Sequence, residues 1–265
     1  MDKIKKVLVL TGGSSGIGLA TAQFFAARGW AVCELSRSGK GGEGIIHYGV
    51  DVTDEAALIG TFADIYAAFG RIDTVLCNAG FGISGAAECT AYAEAVKQFR
   101  VNYLGAVSTF RAAAPYLREQ GYGNILFTGS VAGVLPIPFQ AHYSAGKAAI
   151  AAFSRAAALE MQPFGVYLSA IQLGDVKTGF TAAREKSPAG ADIYGERIAL
   201  SVSKMEKDEQ SGMPPSTIAR AIYKIARKKK PAPLYTIGFA YKLIALLNRL
   251  LPTRLVAWIL KLMYG

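Results

Sequence analysis

A single α/β domain on a mostly parallel sheet, with helices covering both faces, is what this sequence predicts. Three observations predict it. Short apolar runs alternate with longer amphipathic segments, a glycine turn joins the first run to the first helix, and 265 residues suffice for one such domain. Parallel strands are buried on both sides, so continuous apolar runs fit them better than strict alternation would.

Residues 7–10 form the first strand, followed by the Gly-rich turn over 12–18 and a helix through Arg28. Residues 31–35 and 45–48 are the second and third strands, separated by a Gly-rich loop at 39–44. A helix over 55–69 starts at a cap on Asp54 or Thr53 and stops at Gly70. Residues 73–77 are the fourth strand. A long helical region over 91–117 follows, broken around its glycine and proline positions. Residues 124–128 make the fifth strand, 144–161 an Ala-rich helix and 167–172 the sixth strand.

Right-handed crossovers between such strands leave a crevice at their carboxyl ends, where ligands bind. From Gly174 to Met213 the pattern loosens around a helix over 194–205, and residues 176–213 can fold over the crevice as a substrate lid. A helix over 215–227 runs into the cations at 227–230, for which a solvated face is as good a reading as a binding role. One catalytic domain over 1–265 is expected, with an apolar, basic helical extension over 238–265.

The composition excludes several classes. At 52% hydrophobic residues the chain buries a core and is neither disordered nor fibrous. Cys33, Cys77 and Cys89 are too few and scattered for a disulfide framework or a zinc cluster, and no metal is called for. The net charge of +10 is confined to one place: up to Ser211 the chain carries 19 basic and 19 acidic residues, and from Gly212 onward ten basic and no acidic ones. A nucleic-acid role therefore gains little support. The charged residues 1–6 lead straight into a strand, so no export signal is read and a cytoplasmic location is the expectation.

The turn Thr11-Gly12-Gly13-Ser14-Ser15-Gly16-Ile17-Gly18 follows a strand and opens a helix. Gly12 permits a tight turn, Gly16 lets the backbone approach a pyrophosphate and Gly18 allows close helix packing. The helix N-terminus then presents free N–H groups to phosphates. Its spacing is not the literal GxGxxG fingerprint.

Together with Asn78-Ala79-Gly80, Ser130 and Tyr143-Ser144-Ala145-Gly146-Lys147, this TGxxxGxG pattern resembles the short-chain dehydrogenase/reductase family over residues 5–180. The resemblance implies a Rossmann-type, three-layer αβα fold with a seven-stranded sheet in the order 3-2-1-4-5-6-7 and a nicotinamide cofactor. It implies that Asn78, Ala79 and Gly80 shape the cofactor groove. It also implies a homodimer or homotetramer, packed partly through helices 91–117 and 144–161.

Relatives that prefer NAD close the second strand with an acidic residue; here Ser36 stands there, with Arg37 after it. A carboxylate would repel a 2′-phosphate, whereas a serine beside a guanidinium accepts it, so NADP(H) is the expected cofactor. Glu34 is the competing carboxylate, since a shifted strand end would bring it to the ribose. Asp51 and Val52 resemble the pair that relatives set against adenine, and Asp51 reads nearly as well as a turn residue.

Tyr143 and Lys147 stand four apart at the start of a helix and emerge from one face. A phenol with a pKa near 10 is a reluctant base, which a neighbouring ammonium corrects. Ser130 is placed to orient the substrate oxygen, and Asn102 matches the family asparagine that holds a water beside the lysine. The mechanism implied is direct hydride transfer with Tyr143 as general acid for reduction. His142 is a rim or packing residue and His47 structural. After the sixth strand, Leu173 replaces the proline of relatives, which loosens the strand exit, while Gly174, Val176 and Thr178 still approach the carboxamide and phosphates.

Ala132, Leu135, Pro136, Ile137, Phe139, Phe180 and the region of Tyr194 form the expected substrate face, with residues 81–83 as a rim. This lining favours a bulky hydrophobic ketone or alcohol: a steroid, retinoid, sphingoid or fatty-acyl compound. An acyl-carrier-linked 3-oxoacyl reductase, which needs cations at the mouth, and a non-catalytic cofactor-binding regulator are the alternatives. The apolar runs at 241–251 and after Pro252 are each far shorter than the roughly 20 residues that span a bilayer. They read as two amphipathic helices that pack on the pocket or another subunit, or lie on an anionic membrane.

Overall fold

The computed structural model describes residues 5–264; residues 1–4, part of the charged lead-in, and Gly265 at the end of the apolar extension lie outside the described residues. The first half runs β1 (Val7–Thr11), α1 (Gly16–Ala26), β2 (Ala31–Ser36), β3 (Ile45–Gly49), α2 (Glu55–Phe69), β4 (Thr74–Cys77), β5 (Ile83–Ser84), α3 (Tyr92–Phe99) and α4 (Gly105–Gln120). The second half runs β6 (Gly123–Ser130), α5 (Ala141–Met161), β7 (Val166–Leu173), β8 (Glu185–Lys186), α6 (Ala191–Tyr194), α7 (Arg197–Gln210), α8 (Pro215–Ala226), β9 (Leu234–Thr236), α9 (Phe239–Leu250) and α10 (Thr253–Tyr264).

Seven strands pair in parallel in the order β3-β2-β1-β4-β6-β7-β9, which is the expected Rossmann-type order counted along the main sheet. Alternation within each buried strand feeds two cores. Val7 and Val9 face the layer of α2, α4 and α5 with Leu58, Phe62, Leu117 and Ile150. Leu8 and Leu10 face α1 and α8 with Phe25, Ile218, Ile222 and Ile225. Asp54 caps α2 by accepting from Ala57 N at 3.0 Å, and Gly70 closes it in a left-handed conformation.

The break in the long helical region falls elsewhere than its proline. Pro115 lies inside α4 at an exposed position, and the carbonyl it leaves without a donor is that of Arg111, also an exposed residue. The irregularity is a π-turn over Arg100–Leu104, between α3 and α4, with Asn102 buried in it. The seventh strand, known beforehand only through the family resemblance, is three residues long. A two-stranded sheet of β5 and β8 ties the loop after β4 to the segment after β7.

Candidate active site

The carboxyl ends of β1, β2, β4, β6 and β7 surround a cavity of about 930 Å³. Gly12, Ser14, Ser15, Gly16, Ile17, Ser36, Arg37, Asp51, Val52, Asn78, Ala79, Gly80, Ser130, Tyr143, Lys147, Gly174, Val176 and Thr178 all line it. Gly18 and Asn102 stand behind its wall. Gly12 has φ +68° and lies so close to the next loop that a Cβ would approach Ala79 Cα to 2.8 Å. Gly18 packs directly under the turn. Asn78 fixes it there, its Nδ2 donating to the carbonyls of Thr11 at 3.3 Å and Gly12 at 3.1 Å. No side chain caps the N-terminus of α1, so its first N–H groups remain free for a phosphate.

At the far end of the groove, Ser36 and Arg37 close β2. The Ser36 hydroxyl is buried without a hydrogen-bond partner, and hydrogen bonds from Thr53, helped by the exposed Arg37 guanidinium, hold the Asp51 carboxyl below its ordinary range. Glu34 is committed elsewhere. It accepts from Gly13 N at 3.0 Å and pairs with His47 Nδ1 at 2.6 Å, buried beneath the turn and away from the cavity. Asp51 is both turn and wall, accepting from Thr53 N and Oγ1 at 2.9 and 2.8 Å while lining the groove. These features fit a dinucleotide: a glycine cradle, an open helix terminus and polar groups at the end of β2.

Tyr143 and Lys147 project from the first two turns of α5. Burial pushes the Tyr143 phenol up to about 12, and the neighbouring Ser130 hydroxyl pulls the other way. Lys147 Nζ donates to Thr128 O at 2.8 Å and lies 5.7 Å from the Tyr143 ring centroid; burial lowers its pKa to about 8. Asn102 presents its amide to Phe81, accepting from its N–H at 2.9 Å and donating to its carbonyl at 2.8 Å. A Cβ on Gly80 would stand 3.0 Å from Asn102 Oδ1 and 3.9 Å from Lys147 Nζ, so both pack against that glycine. The Asn102 side chain therefore holds the loop after β4.

A stability test follows. The folded protein disfavours the Lys147 ammonium, a cost constant below the folded pKa of about 8 and relieved between there and 10.5, where the unfolded chain alone stays charged. Lys147→Met should stabilise the cofactor-free protein by about 1–2 kcal/mol at pH 7, partly offset by the lost bond to Thr128. Thermal unfolding should show that gain shrinking above pH 8; a gain that grows with pH contradicts the assignment.

The substrate end departs from expectation in several places. Ala132, Leu135, Ile137, Phe81 and Phe180 line it, with Phe180 5.9 Å from the Tyr143 ring. Pro136, Phe139, Ile83 and Tyr194 do not. Phe139 packs edge-on against Tyr194 at 5.7 Å, and Ile83 is taken up in β5. Nor is the exit of β7 left loose by Leu173. The Tyr241 ring of α9 lies where a Cβ on Gly174 would be, accepts from Asp175 N at 3.0 Å and donates to Asp175 Oδ2 at 2.7 Å.

Two groups were missed by sequence reasoning: Asp175, and Glu209 of α7, which pairs with the buried Arg184 and accepts from Thr181 Oγ1 at 2.6 Å. Only the loose polar pattern of that segment hinted at them. The remaining wall comes from Ile244, Leu247, Leu251, Val256 and Leu260 of the C-terminal helices. Of the alternatives for these helices, pocket packing is thus one that the structure realises.

Comparison with known proteins agrees with this arrangement. The family model for short chain dehydrogenases matches residues 6–189. The chain is 34% identical over 264 residues, covering 98% of each protein, to a 3-ketodihydrosphingosine reductase of Bacteroides thetaiotaomicron. A short-chain dehydrogenase from Streptomyces avermitilis superposes with a TM-score of 0.83 at 27% identity, covering 94% of both chains. The protein ElxO, solved with NADP bound, gives 0.76 at 25% identity over 90% of this chain and 99% of its own.

Proposed function

We propose that this chain, which belongs to the short-chain dehydrogenase/reductase family, is an NADP(H)-dependent reductase of the ketone in a long-chain amphiphile, with a 3-keto sphingoid base as favoured substrate. The observation that carries the reading is the meeting of Ser130, Tyr143 and Lys147 in one cavity whose outer wall is apolar. Ser130 offers its hydroxyl to the carbonyl oxygen and orients it. Tyr143 donates its proton to that oxygen as the carbonyl carbon is reduced, and recovers it from solvent. Lys147, within reach of the same ring, lowers the cost of the phenolate left behind. The reduced nicotinamide, when bound, supplies the hydride.

Glycines 12 and 16, Ser14, Ser15 and Ile17 would receive the pyrophosphate, Asp51 and Val52 the adenine, and Val176 and Thr178 the carboxamide side. Three features support NADP(H): the unpartnered Ser36 hydroxyl, the adjoining Arg37, and the engagement of Glu34 by Gly13 and His47. Arg37→Ala should raise the KM for NADPH about tenfold or more while leaving NADH little changed, given the worth of a charge-assisted bond. Equal losses with both cofactors contradict the choice.

The charge of the lining speaks against a phosphate-bearing head at the substrate end. Asp175, Glu185 and Glu209 line its substrate end, and the lining Lys97 is paired with Glu185 at 2.6 Å. Among the described residues lining that end, Lys97 is the cation, and it is already paired. Residues 176–213, which supply Phe180 and Glu209, act as the lid. A cytoplasmic homodimer or homotetramer through α4 and α5 completes the reading, supported by the exposed Leu104 and Leu159. A substrate of this kind resides in bilayers, and the C-terminal helices are the part fitted to meet one.

The test is NADPH consumption against 3-ketodihydrosphingosine, a steroid ketone, a retinoid carbonyl and an oxoacyl thioester. The highest kcat/KM belongs to the sphingoid ketone. A thioester preferred over it overturns the substrate class, and NADPH binding without consumption on any of them overturns the enzyme.

A further inference from the structure

Helices α9 and α10 are apolar on two faces, whereas a helix that only walls a cavity needs one. Among their described residues none is buried. The inner positions face the cavity. On the outside, Phe239, Leu243, Leu246 and Leu250 recur at intervals of four, three and four, and Leu255, Trp258 and Leu262 at three and four. Each series is one helix face. These are not grazing exposures: Phe239 is 85% exposed, Leu250 71% and Leu262 67%.

Charge distinguishes what such a stripe can meet. Lys242, Arg249, Arg254 and Lys261 each immediately precede a stripe residue, so they run along the edge of the apolar face. Among the described residues none of the four makes an ion pair, and no acidic residue occurs in the hairpin. A second copy docked on the same face would bring cations against cations. An anionic lipid surface supplies the complement to both the stripe and its edge. The cations at 227–230 take no part: Asn124, at the start of β6, bonds Lys228 O at 3.2 Å, which sets them at the opposite end of the sheet.

The stripe is also continuous with the cavity. Ile244, Leu247, Ile259 and Met263 line the cavity and are each more than one-third exposed. The apolar wall therefore reaches the outer surface at the hairpin.

We propose that the α9–α10 hairpin docks on an anionic bilayer, so that a long-chain ketone passes from lipid to Tyr143 without leaving apolar surroundings. The docking stands on the hairpin alone; the passage of substrate rests on the reductase reading. The full-length protein is sedimented with sucrose-loaded vesicles of phosphatidylcholine, or of phosphatidylcholine mixed with phosphatidylglycerol. It pellets with the mixed vesicles, little with the neutral ones, and salt releases it. Leu250→Glu with Trp258→Glu lowers pelleting about tenfold or more, slows reduction of a vesicle-borne ketone, and leaves reduction of a short water-soluble ketone unchanged.

Should that variant lose the soluble activity, and so be misfolded, glutamine at the four cationic positions carries the test. Binding to mixed vesicles then falls about fivefold per charge removed. Equal or absent pelleting with the two vesicle types overturns the docking. So does a wild-type oligomer that ignores vesicles and dissociates in the glutamate variant, which would give the face to a second copy. Pelleting without reduction of any ketone overturns the reductase reading and leaves the docking intact.

Discussion

Replacing Tyr143 with phenylalanine lowers ketone reduction by about 10²–10⁴-fold, the usual worth of a positioned general acid, and leaves NADPH binding in place. The ring that packs at 5.9 Å from Phe180 is retained, and only the hydroxyl beside Ser130 is lost. The direction of the shifts explains why this hydroxyl suits reduction. With its phenol pushed up to about 12, Tyr143 holds its proton throughout the neutral range in the empty site. It is ready to give that proton and reluctant to leave it off, and the Lys147 ammonium favours the phenolate by charge. Single-turnover rates and NADPH fluorescence titration check the two halves of the prediction. Turnover within a few-fold of wild type rules out Tyr143 as the acid.

Gly18→Ala produces the other large effect, on folding and cofactor binding together. A methyl there overlaps the Gly12 carbonyl oxygen and stands 2.8 Å from Asn78 Nδ2. That amide brackets the turn, and its Oδ1 accepts from Thr128 Oγ1 at 3.1 Å, so one side chain joins the ends of β1, β4 and β6. The nearest neighbour, Gly12, is backbone and cannot swing aside, so overpacking costs about 2–3 kcal/mol. The melting temperature falls by roughly 5–10 °C for a domain of this size, and NADPH affinity drops at least tenfold. Gly60→Ala is the control. It lies in α2 with nothing within 4 Å of its built Cβ, and gains about 0.5–1 kcal/mol from helix propensity. A Gly18→Ala protein that melts and binds NADPH as wild type does would show that the turn has room to spare.

The main strands were legible because parallel burial leaves a continuous apolar run, as in residues 7–10, and little else in a soluble chain produces one. The site was legible for a related reason. Gly12 and Ser130 lie at or just past strand ends, and Tyr143 and Lys147 stand four apart on the first two turns of α5, where spacing alone puts them on one face. Asn102 was legible as an irregularity, since a buried polar side chain in the middle of a helix fits a local departure, here the π-turn. The proline signal misled because a helix tolerates proline best on its exposed side, and both Pro115 and Arg111, whose carbonyl it frees, are exposed residues. β9 left no mark: three half-buried residues after Pro231 and Pro233 give neither a run nor a period.

The substrate end was the least legible part, and for physical reasons. Apolar loop residues serve a pocket or a packing cluster equally well, so Phe139 and Tyr194 could turn toward each other instead of inward. The period of α9 and α10 announces helices but, with apolar residues on two faces, does not say which face the protein covers. Tyr241 reaching back to Gly174 and Asp175 is a contact across 66 residues that no local pattern records.

The most direct test of the central claim follows the hydride itself. NADPH carrying deuterium at C4 of the nicotinamide, on whichever face the enzyme uses, is mixed with a long-chain ketone, and the alcohol is analysed by mass spectrometry. Transfer at the site built by Ser130, Tyr143 and Lys147 predicts an alcohol labelled at its carbinol carbon in proportion to the cofactor oxidised, and at most about a hundredth as much alcohol from the Tyr143→Phe protein in the same time. Cofactor consumed without label in the product from either face, or equal labelling by the variant, would contradict it.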